Sequence, residues 1–278
     1  MSVSPGQRIG RNLVLLRPIG QGGMATVWVA EARAGKRRVA VKILDPRVGE
    51  STQAIERFTS EASAMTRIRS PFVPEIYQCG RLGDGTPYTV MELLDGVDLD
   101  VHLRTHGVLS LRATARLVTQ IGAALTEAHG LGIVHRDVKA ENIFVAGRHD
   151  LLRAKLIDFG IAKIPTDRPG RHGTQMATMG TPAYMSPEQL SSTKDVDARA
   201  DLWSLAVVAY LALTGKIPFD GDTFMAVCLS IHQGIFDLPS HLRSELPAEV
   251  DAWLSKALHR DPGQRFQTAR ELSDALAT

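Results

Sequence analysis

The stretch HRDVKAENIF, residues 135–144, places an acid, a base and an amide within eight residues, between two short apolar runs. Read alone, an Asp flanked by Arg and followed two residues later by Lys is typical of a solvated turn whose charges neutralise one another. A group of reactive side chains is the alternative. The rest of the sequence has to decide between the two.

Length and composition limit the kinds of protein that this chain can be. It has 278 residues, 44% hydrophobic and 22% charged, as expected for a globular protein with one large domain or two lobes. A net charge of +2 argues against a nucleic-acid partner. Cys79 and Cys228 are widely separated and lack a partner motif, which favours a reducing compartment, so we expect the cytoplasm. The longest apolar run, residues 202–213, is shorter than the roughly 20 residues that a bilayer requires, so we expect no membrane span in this chain.

Hydrophobic periodicity predicts an antiparallel sheet in about the first ninety residues. Four alternating or β-branched runs, separated by Gly, basic or Asp-Gly turns, are the expected strands. They lie at residues 12–19, 26–32, 37–44 and 87–93. One helix is expected over residues 52–68, where apolar residues recur at spacings of three and four, with Ser51 or Thr52 as its cap.

Helical patterns dominate after a polar link at residues 93–98. They cover residues 111–132, 199–215, 247–258 and 268–276. We expect Gly130 to end the first of them in a left-handed conformation and the apolar second to be a buried central helix. The predicted fold class is α+β and bilobal: a small sheet lobe with one main helix (about 1–94), a hinge (about 92–96) and a larger, mainly helical lobe (about 97–278), with a cleft at the hinge.

Two features of the first lobe suggest phosphate binding. IGQGGMATVWV, residues 19–29, places glycines between two strands, where the backbone can approach phosphate oxygens; a strand follows instead of a helix, which excludes a dinucleotide-binding turn. VAVKIL, residues 39–44, buries Lys42 on the strand face of Ala40, which implies a nearby anion. Glu61 is the best candidate partner, although such a Glu is more commonly a solvated helix residue.

KLIDFG, residues 155–160, presents Asp158 after an apolar strand and before a glycine, a pattern that suits a metal ligand or a turn cap. The order of the motifs along the chain shows whether they form a functional site or match by chance. The glycine loop, Lys42, Glu61, HRDVKAEN, DFG and GTPAYMSPE follow one another along a single chain, and their joint chance occurrence is negligible.

On these motifs the chain resembles the Hanks-type serine/threonine protein kinases, and GTPAYMSPEQL is most similar to their bacterial branch. The match runs from the glycine loop to DPGQRF at residues 261–266, so residues 1–278 are expected to form one kinase domain. The resemblance implies transfer of the γ-phosphoryl group of ATP to protein Ser or Thr hydroxyls, with Mg²⁺. It also implies that the chain is cytoplasmic or is the cytosolic part of a longer, membrane-anchored protein.

The resemblance assigns a role to each matching residue. Lys42 would hold the α- and β-phosphates and be held by Glu61; Asp137 would accept or orient the substrate hydroxyl. Lys139 would steady the γ-phosphate, and Asn142 and Asp158 would bind the metal. Residues expected to contact the nucleotide are Ile19, Gly20, Gly22, Gly23, Val27, Ala40, Lys42, Met91, Glu92, Leu94, Asp98 and Phe144. For the apolar members, core packing explains their burial nearly as well.

Serine/threonine specificity is implied by Lys139 and by Thr181 in GTPAY. Thr174 and Thr178 are expected phosphorylation sites, modified by the kinase itself, and a homodimer is one arrangement in which this occurs. Arg136 resembles the Arg that pairs with a phosphorylated activation segment.

Three residues match scaffold positions of the family. A buried ion pair is expected between Glu188 and Arg265, and Asp201 is expected to support the catalytic loop. The sequence departs from the common pattern at Ala25, which replaces a loop glycine, at Ala140, which replaces a proline, and at SPE, which replaces APE.

Two alternatives belong to other functional classes. A pseudokinase scaffold has no physical need to keep Lys42, Glu61, Asp137, Asn142 and Asp158 together. A small-molecule phosphotransferase typically lacks the DFG to SPE segment that this chain has. Both are disfavoured.

Overall fold

The structure is a computed structural model that describes residues 3–10, 12–22, 24–32, 37–48, 51–147, 151–159, 182–191 and 196–277. It divides into two compact units, Met1–Asp95 and Gly96–Thr278. The division falls within the hinge that the sequence predicts. Each unit is described by itself.

Six described strands of the first unit form one antiparallel sheet, in the order β1-β2-β3-β4-β6-β5. They are β1 (Arg8–Ile9), β2 (Leu13–Gln21), β3 (Ala25–Ala32), β4 (Arg38–Leu44), β5 (Ile76–Arg81) and β6 (Pro87–Met91). The four predicted strands are confirmed as β2, β3, β4 and β6. The sequence does not predict β1 and β5, because β1 is two residues long and β5 is mostly exposed or half-buried, without clear alternation.

The two faces of this sheet differ because alternate residues of a strand point to opposite sides. One face is an apolar core in which Trp28, Val41 and Val90 are buried together with Leu15 and Ile43. The positions between these residues belong to the other face, and Lys42 of β4 is one of them. The Lys42 ammonium is therefore kept out of the apolar core.

The predicted helix of the first unit is α1 (Thr52–Arg67), and Ser51 is its N-cap, accepting a hydrogen bond from the Ala54 N–H. Phe58 of this helix packs against Leu44 and Ala25, so the methyl group of Ala25 is buried in a small cluster. The departure at Ala25 thus contributes to packing between the glycine loop and α1.

The second unit contains a small sheet and most of the helices. Its sheet consists of β7 (Val97–Asp98), β8 (Ile143–Ala146) and β9 (Arg153–Leu156). Its described helices are α2 (Leu99–His106), α3 (Leu111–Gly130), α4 (Pro187–Ser191), α5 (Arg199–Thr214), α6 (Phe224–Gln233), α7 (Pro239–Leu242), α8 (Ala248–Ala257) and α9 (Ala269–Ala277). Short 3-10 turns occur at Ala140–Asn142, Pro182–Tyr184 and Pro262–Gln264. The α+β fold class is confirmed. None of the described helices is long and apolar enough to cross a membrane.

The prediction for the end of α3 is wrong by two residues. Gly130 is still helical, and the left-handed residue is Gly132, at φ 72°. The Gly132 N–H donates to the His129 carbonyl at 3.0 Å, and the Ile133 N–H donates to the Ala128 carbonyl at 2.9 Å. Together these two bonds form a Schellman motif, in which Gly132 is the left-handed residue and the carbonyls of Ala128 and His129 both have a partner.

Helix α5 is the buried centre of the second unit, as its continuous apolar pattern predicts. Close packing also joins α3 to α9, where the backbone of Gly122 lies against Ser273: a Cβ at residue 122 would be 2.0 Å from the Ser273 hydroxyl oxygen. The glycine is needed at this helix contact for its lack of a side chain.

The predicted buried ion pair is present. Arg265, whose side chain is 0% exposed, makes a bidentate pair with Glu188, with both N–O distances at 2.8 Å. Its guanidinium also lies over the ring of Trp203 and donates to the carbonyl of His259. The pair fixes α4 to the loop that precedes α9.

Candidate functional site

Lys42 and Glu61 form an ion pair inside the first unit, with Nζ 2.8 Å from Oε1. The side chains are 16% and 15% exposed, so both charges are largely removed from water. β4 positions Lys42 between Val27 of β3 and Thr89 of β6, its cross-strand neighbours. The sequence predicted this pairing from the cost of an isolated buried charge. The ion pair therefore fixes the position of the ammonium on this face of the sheet.

Other predicted nucleotide residues share the sheet face of Lys42. Ala40, two residues earlier on β4, pairs across the sheet with Met91, and Lys42 pairs with Val27. Because directly opposed residues of an antiparallel pair point to the same side, these apolar side chains and the ammonium form one surface. Ile19, on β2, is 44% exposed.

The glycine loop is a hairpin between β2 and β3. Gly20 pairs with Val27, and the Gly22 N–H donates to the Ala25 carbonyl at 2.9 Å. A Cβ at Gly20 would meet no atom within 4 Å, and at Gly22 the nearest atom would be the Ala25 oxygen at 3.7 Å. Packing among the described residues therefore does not demand glycine at these two positions, and a loop without side chains there allows close approach of a ligand. Gly23 lies outside the described residues.

The predicted hinge residues have backbone bonds of their own. The Glu92 N–H donates to the Glu75 carbonyl at 2.8 Å, so an adenine contact from Glu92 falls to its carbonyl oxygen. Leu94 is half-buried. Gly96, at φ 128°, is required by geometry, because a Cβ there would lie 2.1 Å from the Val145 oxygen.

Asp98 caps α2 through Oδ1, which accepts from the Val101 N–H at 2.8 Å. Oδ2 is therefore the oxygen suited to the expected ribose contact. Asp98 pairs with Phe144 across the small sheet, so these two predicted nucleotide residues are neighbours in the second unit.

Asp201 of α5 holds the loop that contains Asp137. Its carboxylate, 1% exposed, accepts from the His135 N–H at 2.8 Å and the Arg136 N–H at 2.7 Å, and its Oδ2 is 2.8 Å from His129 Nε2. Arg136 is left-handed, at φ 64°, a conformation that costs a residue with a Cβ about 1 kcal/mol or more. The buried carboxylate thus maintains a strained loop, as the sequence predicted for Asp201.

Two side chains of the opening motif converge on the carboxylate of a third residue, Asp137. Asn142 Nδ2 donates to the Asp137 carbonyl at 2.8 Å and to its Oδ2 at 3.0 Å. Lys139 Nζ lies 3.6 Å from the same Oδ2. The motif is therefore an organised group of side chains, and the alternative of a solvated turn is wrong.

The second small-sheet hairpin brings Asp158 to this group. The Ile157 N–H donates to the Asn142 carbonyl at 2.9 Å, which extends the pairing of β8 with β9 by one bond. Asp158 follows directly, exposed and left-handed at φ 53°. Since the Asn142 amide nitrogen donates to Asp137, its Oδ1 is the side-chain atom of Asn142 that suits a metal ion. Such oxygen donors suit Mg²⁺.

His135 was given no role by the sequence, and the structure makes it the link between the two motifs. Its ring is fully buried and packs on Phe159, with ring centroids 4.5 Å apart. Burial lowers its pKa, so the ring is neutral: Nδ1 accepts from the Asp137 N–H at 3.2 Å and Nε2 donates to the Ile157 carbonyl at 3.1 Å. The signal in the sequence would have been the nearby Asp137: a catalytic acid in a loop needs a neighbour that fixes its backbone, and His135 is two residues away.

Gly160, Thr174, Thr178 and Thr181 lie outside the described residues. Within the described ranges, there is no group of three or more His, Cys, Asp or Glu side chains placed to hold a metal ion. Asn142 and Asp158 are a two-residue set, which suits a metal that takes further oxygens from a phosphate substrate.

Comparison with known proteins agrees with these features. The protein kinase domain family matches residues 13–275. The serine/threonine-protein kinase PknE of Mycobacterium tuberculosis is 38% identical over 262 residues, covering 94% of this chain and 45% of PknE. PknA of the same species is 36% identical over 281 residues, covering 100% of this chain and 63% of PknA. The crystal structure of the M. tuberculosis PknI kinase domain is similar with a TM-score of 0.74 and 28% identity, covering 99% of both chains. This chain thus spans less than two thirds of the length of these curated relatives.

Proposed function

This chain belongs to the protein kinase family, and on that premise we propose that it transfers the γ-phosphoryl group of ATP to serine and threonine hydroxyls of proteins. The observation that carries the proposal is the convergence of Asn142 and Lys139 on the Asp137 carboxylate. A binding module of the same fold has no need for this arrangement. Strained, over-determined backbone is also typical of functional sites.

The first unit supplies residues for the nucleotide. We assign Lys42 to the α- and β-phosphates, because Glu61 orients its ammonium on the sheet face that carries the other predicted nucleotide residues. Gly20, Gly22 and Gly23 would let the backbone of the loop approach the phosphates closely, because they carry no side chain. Val27, Ala40 and Met91 share a face with Lys42 and would pack on the adenine, with Ile19, Glu92 and Leu94 contributing from neighbouring positions.

The second unit supplies the transfer chemistry. Asp137 would accept a hydrogen bond from the substrate hydroxyl and orient its oxygen for attack on phosphorus, taking up the proton as the bond forms. Lys139 would stabilise charge on the γ-phosphoryl oxygens. Asp98 and Phe144 would contact the ribose and adenine.

Asn142 and Asp158 fit Mg²⁺ because both provide oxygen donors and the Asn142 amide has its nitrogen side bonded elsewhere. When bound, the ion neutralises the phosphate oxygens. The chain's own contribution is to hold these donors in place through the backbone bond between Ile157 and Asn142.

Regulation by phosphorylation is part of the proposal and rests on sequence alone. Thr174 and Thr178 would be modified by the kinase itself, with one copy acting on another in a homodimer. Mass spectrometry after incubation with MgATP should find at least one of them phosphorylated. An active preparation in which both are unmodified would contradict this.

The catalytic assignment is tested by transfer of labelled phosphate to a generic protein substrate. Asp137→Asn keeps the side chain's size and removes the base, so the rate should fall by about 10²-fold or more. Asp220→Ala is the control and should match the wild type, because Asp220 is exposed and, within the described ranges, its side chain accepts a hydrogen bond only from the Gly221 N–H. Product analysis should show phosphoserine or phosphothreonine.

Two results would contradict the proposal. Equal labelling by the wild type and Asp137→Asn would remove Asp137 from the chemistry. Nucleotide binding without any transfer by the wild type would favour the pseudokinase alternative. We further propose that the protein acts in the cytoplasm, as itself or as the cytosolic part of a longer, membrane-anchored protein.

A further inference from the structure

The peptide bond that joins Arg136 to Asp137 is held from both sides. Its N–H donates to His135 Nδ1 at 3.2 Å, and its carbonyl, that of Arg136, accepts from Gln189 Nε2 at 3.1 Å. The described part of the chain offers this carbonyl no second donor. Gln189 belongs to α4, which lies 53 positions further along the sequence. A distant helix thus contacts the backbone next to the predicted catalytic carboxylate.

Ser186 decides which end of the Gln189 amide faces the loop. Gln189 Oε1 accepts from the Ser186 N–H at 3.0 Å and from the Ser186 hydroxyl at 3.2 Å. With the oxygen bound twice, the NH₂ group points to the Arg136 carbonyl. Ser186 is fully buried, and its hydroxyl is the group that distinguishes SPE from the commoner APE.

We propose that Gln189 is a positioning residue for Asp137 and that Ser186 orients it. Arg136 is left-handed, so its backbone needs restraint to keep this conformation. Rotation of the Arg136–Asp137 peptide would move the Asp137 carboxylate relative to the substrate hydroxyl. Misplacement on the order of 1 Å can cost about 10²-fold in rate. This inference rests on the proposed function.

A helix-capping role is the structural alternative, and Gln189→Glu separates the two. Ser followed three residues later by Glu is a favourable capping box, so a carboxylate at this position keeps the bonds to Ser186. It has no N–H to donate to Arg136. If Gln189 serves only the helix, this variant should behave as the wild type.

The assay is the single-turnover rate of phosphoryl transfer, with KM for ATP and thermal stability measured alongside. We expect Gln189→Glu and Gln189→Ala to lower the rate about tenfold, which equals about 1.4 kcal/mol, with KM for ATP within about twofold. Gln264→Glu, at an exposed position, is the control and should keep the wild-type rate. Adding Ser186→Ala to Gln189→Ala should cause no further loss, because Ser186 acts through Gln189.

Amide hydrogen exchange gives a readout that does not require catalysis. Residues 135–137 should exchange faster in Gln189→Glu than in the wild type or the control. A wild-type transfer rate in Gln189→Glu, or unchanged exchange at these residues, would overturn the proposal. If the wild type transfers no phosphate, the proposed function fails, and exchange alone then decides the positioning role.

Discussion

Replacement of Asp201 by Asn tests whether a single buried carboxylate maintains the loop of Asp137. The change is nearly isosteric but exchanges one acceptor oxygen for an NH₂ donor. The carboxylate accepts from His135 N–H and Arg136 N–H on different oxygens. If the Asn oxygen faces His135, its NH₂ group faces the Arg136 N–H, and two donors then meet.

The magnitude follows from these bonds. A buried N–H left without an acceptor costs about 1–3 kcal/mol, and the bonds that remain lose the benefit of a charged acceptor. We expect a total of about 3 kcal/mol in the free energy of unfolding. For a chain of this size that is roughly 6–12 °C in Tm.

The assay is thermal and denaturant unfolding of Asp201→Asn beside a matched control. Asp197→Asn makes the same chemical change just before α5, at a carboxylate that is 52% exposed and paired with Arg199. Exposed pairs contribute about 0–1 kcal/mol, so the control should unfold close to the wild type. If the two variants lie within about 1 kcal/mol of each other, the hydrogen bonds of Asp201 do not stabilise the loop as argued.

Three further predictions concern packing and titration. Glu188→Ala leaves the fully buried Arg265 without its counter-charge and should lower the free energy of unfolding by about 3–5 kcal/mol, measured in urea; a loss below about 1 kcal/mol would contradict the burial of the pair. Gly122→Ala places a methyl group against the α9 hydroxyl and should cost about 1–3 kcal/mol, whereas Gly83→Ala, with open space around it, should not; equal melting temperatures would refute the close contact. Burial raises the pKa of Tyr210 from 10.0 to about 12, so the neutral phenol stabilises the fold below about pH 10 and this contribution is lost as the pH rises toward 12. In the wild type the free energy of unfolding should fall by up to about 1.4 kcal/mol per pH unit more than in Tyr210→Phe over this range. Parallel profiles of unfolding free energy against alkaline pH for the two proteins would contradict this prediction.

The sequence predicts those parts of the fold and site that have a local pattern or an unpaired charge. Alternation identified four strands, and the apolar run of α5 predicted its burial. The ion pair of Lys42 with Glu61 followed from the cost of burying a single charge, whereas the pair of Arg265 with Glu188 followed from the family resemblance alone. The predictions made without the resemblance each use a property that one residue type carries by itself.

The sequence does not predict features for which several residues are equally suited and only the tertiary structure determines which one is used. Gly130 and Gly132 are equally able to be left-handed, and the pairing of two backbone carbonyls decides between them. His135 and Gln189 are ordinary polar residues until tertiary structure places their ring and amide beside the same peptide bond. No spacing rule connects residues so far apart.

Backbone strain is the clearest case of such information. Among the described residues, the non-glycine residues with positive φ are Arg136 and Asp158. The Arg side chain does not favour this conformation, and the Asp side chain favours it only weakly. The sequence therefore does not predict a positive φ at either residue. Arg136 precedes the predicted catalytic acid, and Asp158 is a predicted metal ligand. The neutral ring of His135 bonds to Asp137, which follows Arg136, and to Ile157, which precedes Asp158. The hydrogen bonds of this ring therefore connect the two strained residues, so a change that releases one of them should also disturb the other. Asp137 and Asp158, the acids proposed to orient the hydroxyl and to bind the metal, are then expected to lose their positions together.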